Sequence, residues 1–420
     1  MRTLVVGGGG REHALVWALE RAGSVDEILC APGNPGIAEI AECFDLAVTD
    51  IPGLVGLAKR TDSDLVVVGP EAPLVAGLAD SLADANIRVF GPHARGALLE
   101  GSKSYAKKLM KAKGIPTAKS EEFELAADAI RYVERTGGPV VVKADGLAAG
   151  KGVTVCNDAD EARVAVQTAM TERRFGDAGA RILIEERMMG PELSILAFCD
   201  GKSILPMQAA QDFKRIHEGD AGPNTGGMGA YSPVAICTDA VFGQAIDRVL
   251  EPIAAALQDE GEPYVGVIYA GLILTGDGLK VIEFNCRFGD PEAQVLLPRL
   301  NTDLGEVMAA CVDGSLSTIN LDWSPNAAVC VVLASAGYPE GPVSTGVPIE
   351  GLQAARREGA TVFHSGTEMK DGQIVTAGGR VLCVTATGKD ARIARASAYA
   401  AVGQISFEGM QFRSDIGAEN

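Results

Sequence analysis

The sequence predicts a multidomain protein of the α/β and α+β classes, with a Rossmann-like N-terminal domain, a central α+β domain and a small β-rich C-terminal domain. Its length of 420 residues suggests about three domains at roughly 150 residues each. A composition of 47% hydrophobic residues with 51 glycines fits a glycine-rich enzyme with a substantial core. A strand, a glycine loop and a helix open the chain, whereas short alternating strands follow residue 323. We expect domains over residues 1–100, 101–322 and 323–420.

The charge balance and the cysteines indicate which kinds of partner and which cellular compartment fit this protein. Lysines and arginines number 37 against 55 aspartates and glutamates, and the net charge of −18 repels nucleic acid and anionic membranes. The nine cysteines lack a C-x-x-C pair, which is typical of reduced thiols in a cytoplasmic protein. The sequence shows neither a signal-peptide pattern nor an apolar run of about 20 residues. We therefore expect small-molecule substrates, no nucleic-acid or membrane partner, and a monomer or a weak homodimer.

The first strand, residues 3–6, runs into a glycine loop and then into a stretch with helical spacing. This order presents backbone N–H groups to a phosphate in doubly wound sheets. A dinucleotide site would need a carboxylate after the second strand, but residues 27–31 are followed by Pro-Gly-Asn-Pro-Gly. The pattern disfavours NAD and favours a smaller phosphorylated ligand, with a turn that binds nothing as the alternative. The candidate residues for binding this ligand are Gly8, Gly9, Gly10 and Glu12.

A second candidate follows the strand at residues 65–68, where Gly-Pro-Glu71 places a carboxylate at the strand's carboxyl end. Ligands bind at that edge of open α/β sheets. A single such residue also serves as a turn former, so on spacing alone both interpretations of Glu71 stay open.

A lysine-rich helix is predicted over residues 100–114, where Gly114 and Pro116 end it. Most of its lysines should face solvent. Lys103, at the start of the helix, is the one that we expect to contact a phosphate.

Residues 119–187 form a smaller α+β insertion around two β-runs joined by a glycine- and alanine-rich turn. Lys143 lies within the first run, where a buried ammonium is costly without an anion. Lys151 lies in the turn, as does Gly146. A strand lysine with a glycine loop over a phosphate chain clamps a nucleotide, although no Walker A pattern is present. Nucleotide binding is therefore favoured over a purely structural hairpin.

The strand that begins at residue 181 ends in a short connector typical of a hinge. Backbone atoms of such a hinge can contact an adenine edge, and Glu192 can accept hydrogen bonds from ribose hydroxyls. The polar stretch at 208–233 shows no regular pattern, and a loop of this length is uncommon unless it is functional. The candidates in the hinge are Glu185, Glu186 and Arg187, and those in the polar stretch are Asp212, Lys214, Thr225, Gly226 and Gly227.

Residues 281–292 open as an alternating strand. Period-two geometry divides the side chains into a polar face, Glu283, Asn285 and Arg287, and an apolar face, Ile282, Phe284 and Cys286. A carboxylate and an amide oxygen suit Mg²⁺, and a guanidinium suits a carboxylate or a phosphate. Alone, the pattern fits a solvated amphipathic strand equally well. Asp290 follows in the next loop, and Arg380 lies on a segment that can approach the same site.

In this order, these motifs resemble the ATP-grasp superfamily and, within it, the glycinamide ribonucleotide synthetase family. The resemblance covers essentially the whole chain. It rests on residues 4–14, 69–73, 143–152, 211–215, 224–233 and 285–292. It implies an ATP-grasp core whose mobile lid is the 119–187 insertion, preceded by the Rossmann-like domain and followed by the small β-rich domain.

The resemblance also implies a reaction of purine biosynthesis, in which ATP, glycine and 5-phospho-β-D-ribosylamine give the glycinamide ribonucleotide, ADP and phosphate. Glycine's carboxylate attacks the γ-phosphate and the amine then displaces the acyl phosphate, so no enzyme nucleophile is needed. The absence of a G-x-S-x-G motif agrees.

The same resemblance assigns roles to the candidate residues. The metal, Mg²⁺ or Mn²⁺, is held by Glu283 and Asn285. Catalysis is assigned to Lys143, Lys151, Asp212 and Arg287. ATP binding is assigned to Lys103, Lys143, Gly146, Lys151, Glu185, Glu186, Arg187 and Glu192. Binding of the other substrates is assigned to Gly8, Gly9, Gly10, Glu12, Glu71, Asp212, Lys214, Thr225, Gly226, Gly227, Arg287 and Asp290.

One departure from the superfamily pattern concerns the strand at 265–275, which carries no carboxylate although many relatives place a metal ligand there. We therefore expect the metal to arrive largely with the nucleotide. Three alternatives stay open: an ATP-grasp enzyme that acts on another carboxylate, such as a carboxylase component; an inactive nucleotide-binding regulator; and, more distantly, a dehydrogenase.

Overall fold

The computed structural model describes residues 1–148, 151–261 and 263–418, so Ala149 and Gly150 of the predicted glycine turn lie outside the described residues. The strands are β1 (Arg2–Gly7), β2 (Glu27–Pro32), β3 (Glu42–Cys43), β4 (Leu65–Val68), β5 (Val89–Phe90), β6 (Ser120–Phe123), β7 (Val140–Ala144), β8 (Val153–Cys156), β9 (Ile182–Glu186), β10 (Glu192–Asp200), β11 (Ile204–Pro206), β12 (Gln211–Asp212), β13 (Arg215–His217), β14 (Ala221–Asn224), β15 (Gly229–Ser232), β16 (Val265–Thr275), β17 (Gly278–Asn285), β18 (Ala327–Ala334), β19 (Thr361–His364), β20 (Thr367–Lys370), β21 (Gln373–Thr376) and β22 (Arg380–Gly388). The α-helices are α1 (Gly10–Glu20), α2 (Ile51–Arg60), α3 (Glu71–Val75), α4 (Leu78–Asp84), α5 (Ala94–Gly101), α6 (Lys103–Lys113), α7 (Ala126–Thr136), α8 (Ala159–Val166), α9 (Asp239–Ala245), α10 (Glu251–Asp259), α11 (Ala293–Leu296), α12 (Leu304–Asp313), α13 (Leu352–Arg357) and α14 (Ala391–Val402).

The N-terminal sheet is parallel throughout, with the strand order β3-β2-β1-β4-β5. The order reverses between β1 and β4, and a doubly wound sheet binds its ligand at the carboxyl ends of strands at such a point. The glycine loop follows β1 directly, and Glu71 begins α3 just after β4. A Cβ at Gly8 would lie 2.4 Å from the Gly33 carbonyl oxygen, so the loop packs too closely on the next turn for any side chain. The predicted Rossmann-like domain is confirmed.

The central region contains two separate antiparallel sheets. One has the order β11-β10-β16-β17, and the other, in the inserted subdomain, has the order β6-β9-β7-β8. The insertion packs α7 and α8 on its sheet around a core of its own, which includes Val133, Val142, Ile184 and Met170. Its core is therefore distinct from the one beneath β16 and β17.

The helix that contains Lys103 begins and ends at the residues its capping chemistry dictates. The Ser102 side chain accepts a hydrogen bond from the Tyr105 N–H, and Gly114 ends the helix with φ of 66°. The lysine-rich helix is confirmed, but it starts at Lys103 rather than at Glu100, which belongs to α5.

The C-terminal sheet is built from two distant parts of the sequence. Its order is β12-β15-β18-β22-β19. Two strands of the polar stretch at 208–233 thus belong to this sheet: β15 pairs with β18, and β12 pairs with β15 at the edge. The prediction of an unpatterned loop at 208–233 was wrong. Its strands are two to four residues long, too short to show a period of two, and β15 is held by pairing with β18, which is buried along its whole length.

A β-bulge in β17 changes the predicted division of its side chains. The register with β16 moves from Gly271 opposite Glu283 to Leu272 opposite Val281, so Ile282 is an extra residue. Val281 consequently packs in the core with Phe284, whereas Ile282 is half-buried. The expectation that Ile282 shares the apolar face was wrong because a sequence pattern does not reveal a bulge.

His13 on α1 lies where the N-terminal domain packs against β19. Its Nδ1 accepts a hydrogen bond from the His364 backbone N–H at 2.8 Å, and its ring stands edge-on to Phe363. Burial, and then the nearby His364 and Arg356, lower the pKa of His13 to about 3. His13 is therefore neutral in the folded protein near neutral pH.

The buried neutral imidazole predicts an acid-sensitive contact. An unfolded histidine has a pKa near 6.5, so between pH 3 and 6.5 the unfolded state binds more protons and stability falls as the pH falls. We expect the protonation of His13 in the unfolded state to lower the free energy of unfolding by about 3 kcal/mol between pH 6.5 and pH 4. Urea unfolding at pH 4 to 7 should show a flatter pH dependence for His13→Asn, which keeps an acceptor; parallel curves would contradict the assignment.

Candidate functional site

Glu283, near the end of β17, is surrounded by lysines. The Lys214 ammonium lies 3.9 Å from a Glu283 carboxylate oxygen. Burial acts to raise the pKa of Glu283, but the charges of Lys214, Lys143 and Lys103 outweigh it and hold the pKa below its usual range. Glu283 is therefore a carboxylate at neutral pH.

Asn285 supplies a second oxygen beside this carboxylate. In the amide orientation that satisfies its neighbours, the side-chain nitrogen donates to a Glu100 oxygen at 3.1 Å and to the Phe284 carbonyl oxygen at 3.2 Å. The amide oxygen is then the atom left for a cation. Carboxylate and amide oxygens are hard donors that suit Mg²⁺ or Mn²⁺.

The protein supplies few other metal ligands here. β16 carries no carboxylate, as the sequence predicts, and the described residues contain no cluster of three or more His, Cys, Asp or Glu side chains that could hold a metal ion. The residues present fit a divalent cation that arrives with further oxygen ligands, as Mg²⁺ usually does with nucleotide phosphates.

Lys143 is buried on β7 and has an anionic partner within the protein. Its ammonium lies 2.9 Å from a Glu185 oxygen and donates to the Ile282 carbonyl oxygen at 3.0 Å. Lys107 contacts the other Glu185 oxygen at 3.1 Å. Sequence reasoning missed Lys107 by treating it as a solvent lysine, although it follows Lys103 by four residues on the same helix face.

The three hinge residues, Glu185, Glu186 and Arg187, each have different partners. The Glu185 carboxylate is occupied by the two lysines. Glu185 and Glu186 lie in β9, and the Glu186 N–H donates to the Lys119 carbonyl oxygen at 2.9 Å. Glu186 accepts from the Lys119 N–H, and Arg187 donates to the Asn157 side chain at 2.8 Å.

On the lid, Lys151 is exposed, and the Gly146 N–H donates to the Ala178 carbonyl oxygen. Lys103 is largely buried; burial lowers its pKa while Glu283 opposes the shift.

A chain of alternating charges links β17 to the glycine loop. The Arg287 guanidinium lies 3.3 Å from Glu71, and Arg11 lies 4.0 Å from the same carboxylate. Arg11 also pairs with Glu12 at 2.5 Å, and Glu12 accepts from the Gly9 N–H at 2.7 Å. Burial acts to raise the pKa of Glu71, but Arg287 and Arg11 hold it below its usual range. Sequence reasoning missed Arg11, whose position directly after four glycines was the available signal.

The turn at 225–227 packs on Asp212. The Gly227 N–H donates to the Thr225 hydroxyl at 2.9 Å, and a Cβ at Gly227 would lie 2.6 Å from Asp212 Oδ1. This oxygen is buried and has no hydrogen-bond partner among the described residues. Burial, and then Glu292, raise the pKa of Asp212 well above its usual range. The carboxyl group is thus poised for a cationic partner.

Arg380 joins this turn to the loop after β17. It donates to the Gly226 carbonyl oxygen at 2.6 Å and to the Asp290 carbonyl oxygen at 2.9 Å, and it pairs with the Asp290 carboxylate at 3.0 Å. The structure therefore brings this C-terminal residue to the site, as the sequence allowed.

A small polar cleft opens beside these groups, with about 200 Å³ of empty space including its open mouth. Behind it, Glu292 accepts hydrogen bonds from Ser194 at 3.0 Å and from the Tyr269 hydroxyl at 2.8 Å. The lining of the cleft carries two acidic side chains, Glu192 and Asp212, and one basic side chain, Lys214, which suit the two charges of a small zwitterion. Its lining residues are Glu192, Leu193, Ser194, Asp212, Lys214, Gly271 and Leu272.

Comparisons with known proteins cover the whole chain. Family models of phosphoribosylglycinamide synthetase match in three parts: the N domain at residues 1–100, the ATP-grasp (A) domain at 101–293 and the C domain at 328–419. Phosphoribosylamine–glycine ligase of Ralstonia nicotianae is 46% identical over 422 residues, covering 99% of both chains. The enzyme of the same name from Caldanaerobacter subterraneus is 45% identical over 418 residues and covers all of both.

Solved structures agree with these matches. The crystal structure of phosphoribosylamine–glycine ligase from Thermotoga maritima superposes with a TM-score of 0.86 at 31% identity, over 99% of this chain and 100% of that one. The biotin carboxylase domain of Hydrogenobacter thermophilus 2-oxoglutarate carboxylase has a TM-score of 0.73 at 17% identity, over 98% and 91% of the two chains. This second likeness shows a shared fold alone.

Proposed function

The chain belongs to the phosphoribosylglycinamide synthetase family, and on that premise we propose how its residues join glycine to 5-phospho-β-D-ribosylamine with ATP. It is an ATP-dependent ligase of purine biosynthesis. The observation that carries the site assignment is the Lys214 ammonium 3.9 Å from the Glu283 carboxylate, on which the charges of Lys143 and Lys103 also act. Positive charge around a metal-type carboxylate is what a triphosphate and its cation require.

ATP lies between the lid and β17. Lys103 and Lys143 contact its phosphates, with Gly146 and Lys151 of the lid turn above them. Buried Lys143 is held in place by Glu185 and the Ile282 carbonyl oxygen, so it needs little reorganisation to meet a phosphate. Backbone atoms at Glu185, Glu186 and Arg187 contact adenine, and Glu192, 3.3 Å from Lys214, accepts from ribose.

Glu283 and Asn285 hold Mg²⁺, or Mn²⁺ in its place. When bound, the cation neutralises charge on the triphosphate and orients its terminal phosphate. We expect ATP's own oxygens to complete the coordination, because the described residues contain no cluster of three or more His, Cys, Asp or Glu side chains that could hold a metal ion.

Glycine occupies the polar cleft. The unpartnered oxygen of Asp212 accepts from its ammonium, and Lys214 and Arg287 orient its carboxylate. Burial, and then Glu292, raise the pKa of Asp212, and a bound ammonium would act in the opposite direction, since a nearby cation favours the charged form. The turn formed by Thr225, Gly226 and Gly227 closes on this group, and Asp290 holds Arg380 against the turn.

We assign the phosphoribosylamine phosphate to the glycine loop of Gly8, Gly9 and Gly10, beside Arg11, with the N–H groups of Gly8 and Gly10 as its donors. Glu12 fixes this loop through the Gly9 N–H, and Glu71 faces the sugar hydroxyls. The glycine carboxylate attacks the γ-phosphate to give glycyl phosphate and ADP. The amine then attacks the acyl carbon, phosphate leaves, and the amide forms after the amine loses a proton.

We place the protein in the cytoplasm as a monomer. Its nine free thiols suit a reducing compartment, and one chain supplies every residue named in the site.

Turnover with defined substrates tests this function. We expect ADP release that requires both glycine and phosphoribosylamine. Equal ADP release with bicarbonate in place of glycine would favour a carboxylase component, and ATP binding without product would favour an inactive regulator. Binding of NADH in a fluorescence titration would favour a dehydrogenase.

A further inference from the structure

Glu100 is a buried carboxylate that holds three consecutive residues at the end of β17. One oxygen accepts from the Cys286 backbone N–H at 2.9 Å and from its thiol at 3.3 Å. The other accepts from Arg287 at 2.8 Å and, in the amide orientation that satisfies the neighbours of Asn285, from its side-chain nitrogen at 3.1 Å. Its side chain is 8% exposed. Four donors thus converge on one carboxylate that lies 185 residues earlier in the chain.

The contact with Asn285 has a chemical consequence. The two branches of an amide have nearly the same shape, so packing alone does not decide which one faces a cation. Both Glu100 oxygens already accept hydrogen bonds, one from the Cys286 N–H and the other from Arg287, so Glu100 acts as an acceptor here and the amide presents its nitrogen to it. Its oxygen is consequently left for the metal.

We propose that Glu100 is a positioning residue that selects the metal-binding orientation of the Asn285 amide and, through the same carboxylate, fixes Arg287. The proposal rests on the function assigned above. The need to neutralise Arg287 does not by itself explain Glu100. Arg287 has a second carboxylate, Glu71, at 3.3 Å and also donates to the Phe288 carbonyl oxygen at 3.1 Å. The contacts to Asn285 and to the Cys286 N–H do not contribute to neutralising Arg287.

A double-mutant cycle separates amide selection from a general structural role. Mn²⁺ binding is measured by electron paramagnetic resonance in the presence of AMPPNP, so that no turnover is needed. We expect Glu100→Gln to weaken Mn²⁺ binding about tenfold or more, the effect typical of lost outer-shell partners. In an Asn285→Asp background both oxygens are equivalent, so the same substitution should leave Mn²⁺ affinity unchanged or tighter.

The matched control is Asp200→Asn. Asp200 is also a buried carboxylate that accepts backbone N–H groups, from Lys202, Ser203 and Leu316, but it lies outside the site. We expect Mn²⁺ affinity to stay within twofold of the parent protein. If Glu100→Gln alone does not fold, the double variant, which keeps the net charge beside Arg287, is compared with Asn285→Asp, and equal affinities support the proposal.

Three results would overturn the proposal: parent-like Mn²⁺ affinity in Glu100→Gln, the same loss of affinity in both backgrounds, or a double variant that binds Mn²⁺ tenfold more weakly than Asn285→Asp. Failure of the proposed function is distinguishable, because Glu283→Gln would then leave Mn²⁺ affinity unchanged. That last result would remove the metal assignment and the role of Glu100 together.

Discussion

Replacing Glu283 with alanine is expected to lower kcat at least about a thousandfold while the protein stays folded. Glu283 supplies the carboxylate that we assign to the metal, and it is held ionised among three lysines. Its removal leaves Lys214, Lys143 and Lys103 without that negative charge, so the site loses both a ligand and its charge balance. Steady-state ADP release at saturating Mg²⁺ measures the effect, with circular dichroism as the test of folding.

Glu283→Gln is the companion variant, because it keeps the shape and removes only the charge. We expect a similar loss. Activity within tenfold of the parent protein in both variants, at saturating Mg²⁺ and ATP, would refute the metal assignment. Glu368, an exposed carboxylate on β20, is the control position, where alanine should change kcat by less than twofold.

Arg287→Lys is expected to lower kcat/KM about a hundredfold, although it conserves the charge. The guanidinium contacts Glu100, Glu71 and the Phe288 carbonyl oxygen at the same time. A lysine ammonium is a point charge and cannot keep these contacts together, so a buried carboxylate loses its partner. The loss should be visible in the glycine dependence of ADP release.

The control for this substitution is Arg88→Lys. Arg88 contacts both oxygens of Asp313 at 2.7 and 2.8 Å, but on the exposed surface, where an ion pair contributes little. We expect the kcat/KM of Arg88→Lys to stay within twofold of the value for the parent protein. Equal behaviour of the two lysine variants would show that Arg287 does not need its planar fork.

Local patterns were sufficient to predict much of this structure. β4, β16 and β17 lie where runs of apolar residues or period-two alternation indicate strands, and Gly114 ends α6 as its freedom at positive φ suggests. The motif around Glu283 could be recognised in the sequence because the two proposed metal ligands, Glu283 and Asn285, lie two residues apart on a single strand. Order along the chain then favoured nucleotide chemistry over a solvated strand.

Long-range contacts were not predictable in the same way. Glu100 gives no local signal, since its partners come 185 to 187 residues later. In the sequence, Lys107 cannot be distinguished from its solvent-facing neighbours, because its partner Glu185 comes from the end of the 119–187 insertion. The bulge at Ile282 depends on how β17 pairs with β16, and no property of the β17 sequence alone reveals it.

The shared C-terminal sheet limits how this chain can be divided. A fragment starting at residue 323 would lack β12 and β15, and β18, whose eight residues are all buried, would become an open edge. Such edges recruit other chains, so that fragment should self-associate rather than fold as an independent module. Any split version of the protein would have to keep residues 208–233 with the C-terminal half, which would carry the turn at 225–227 with it.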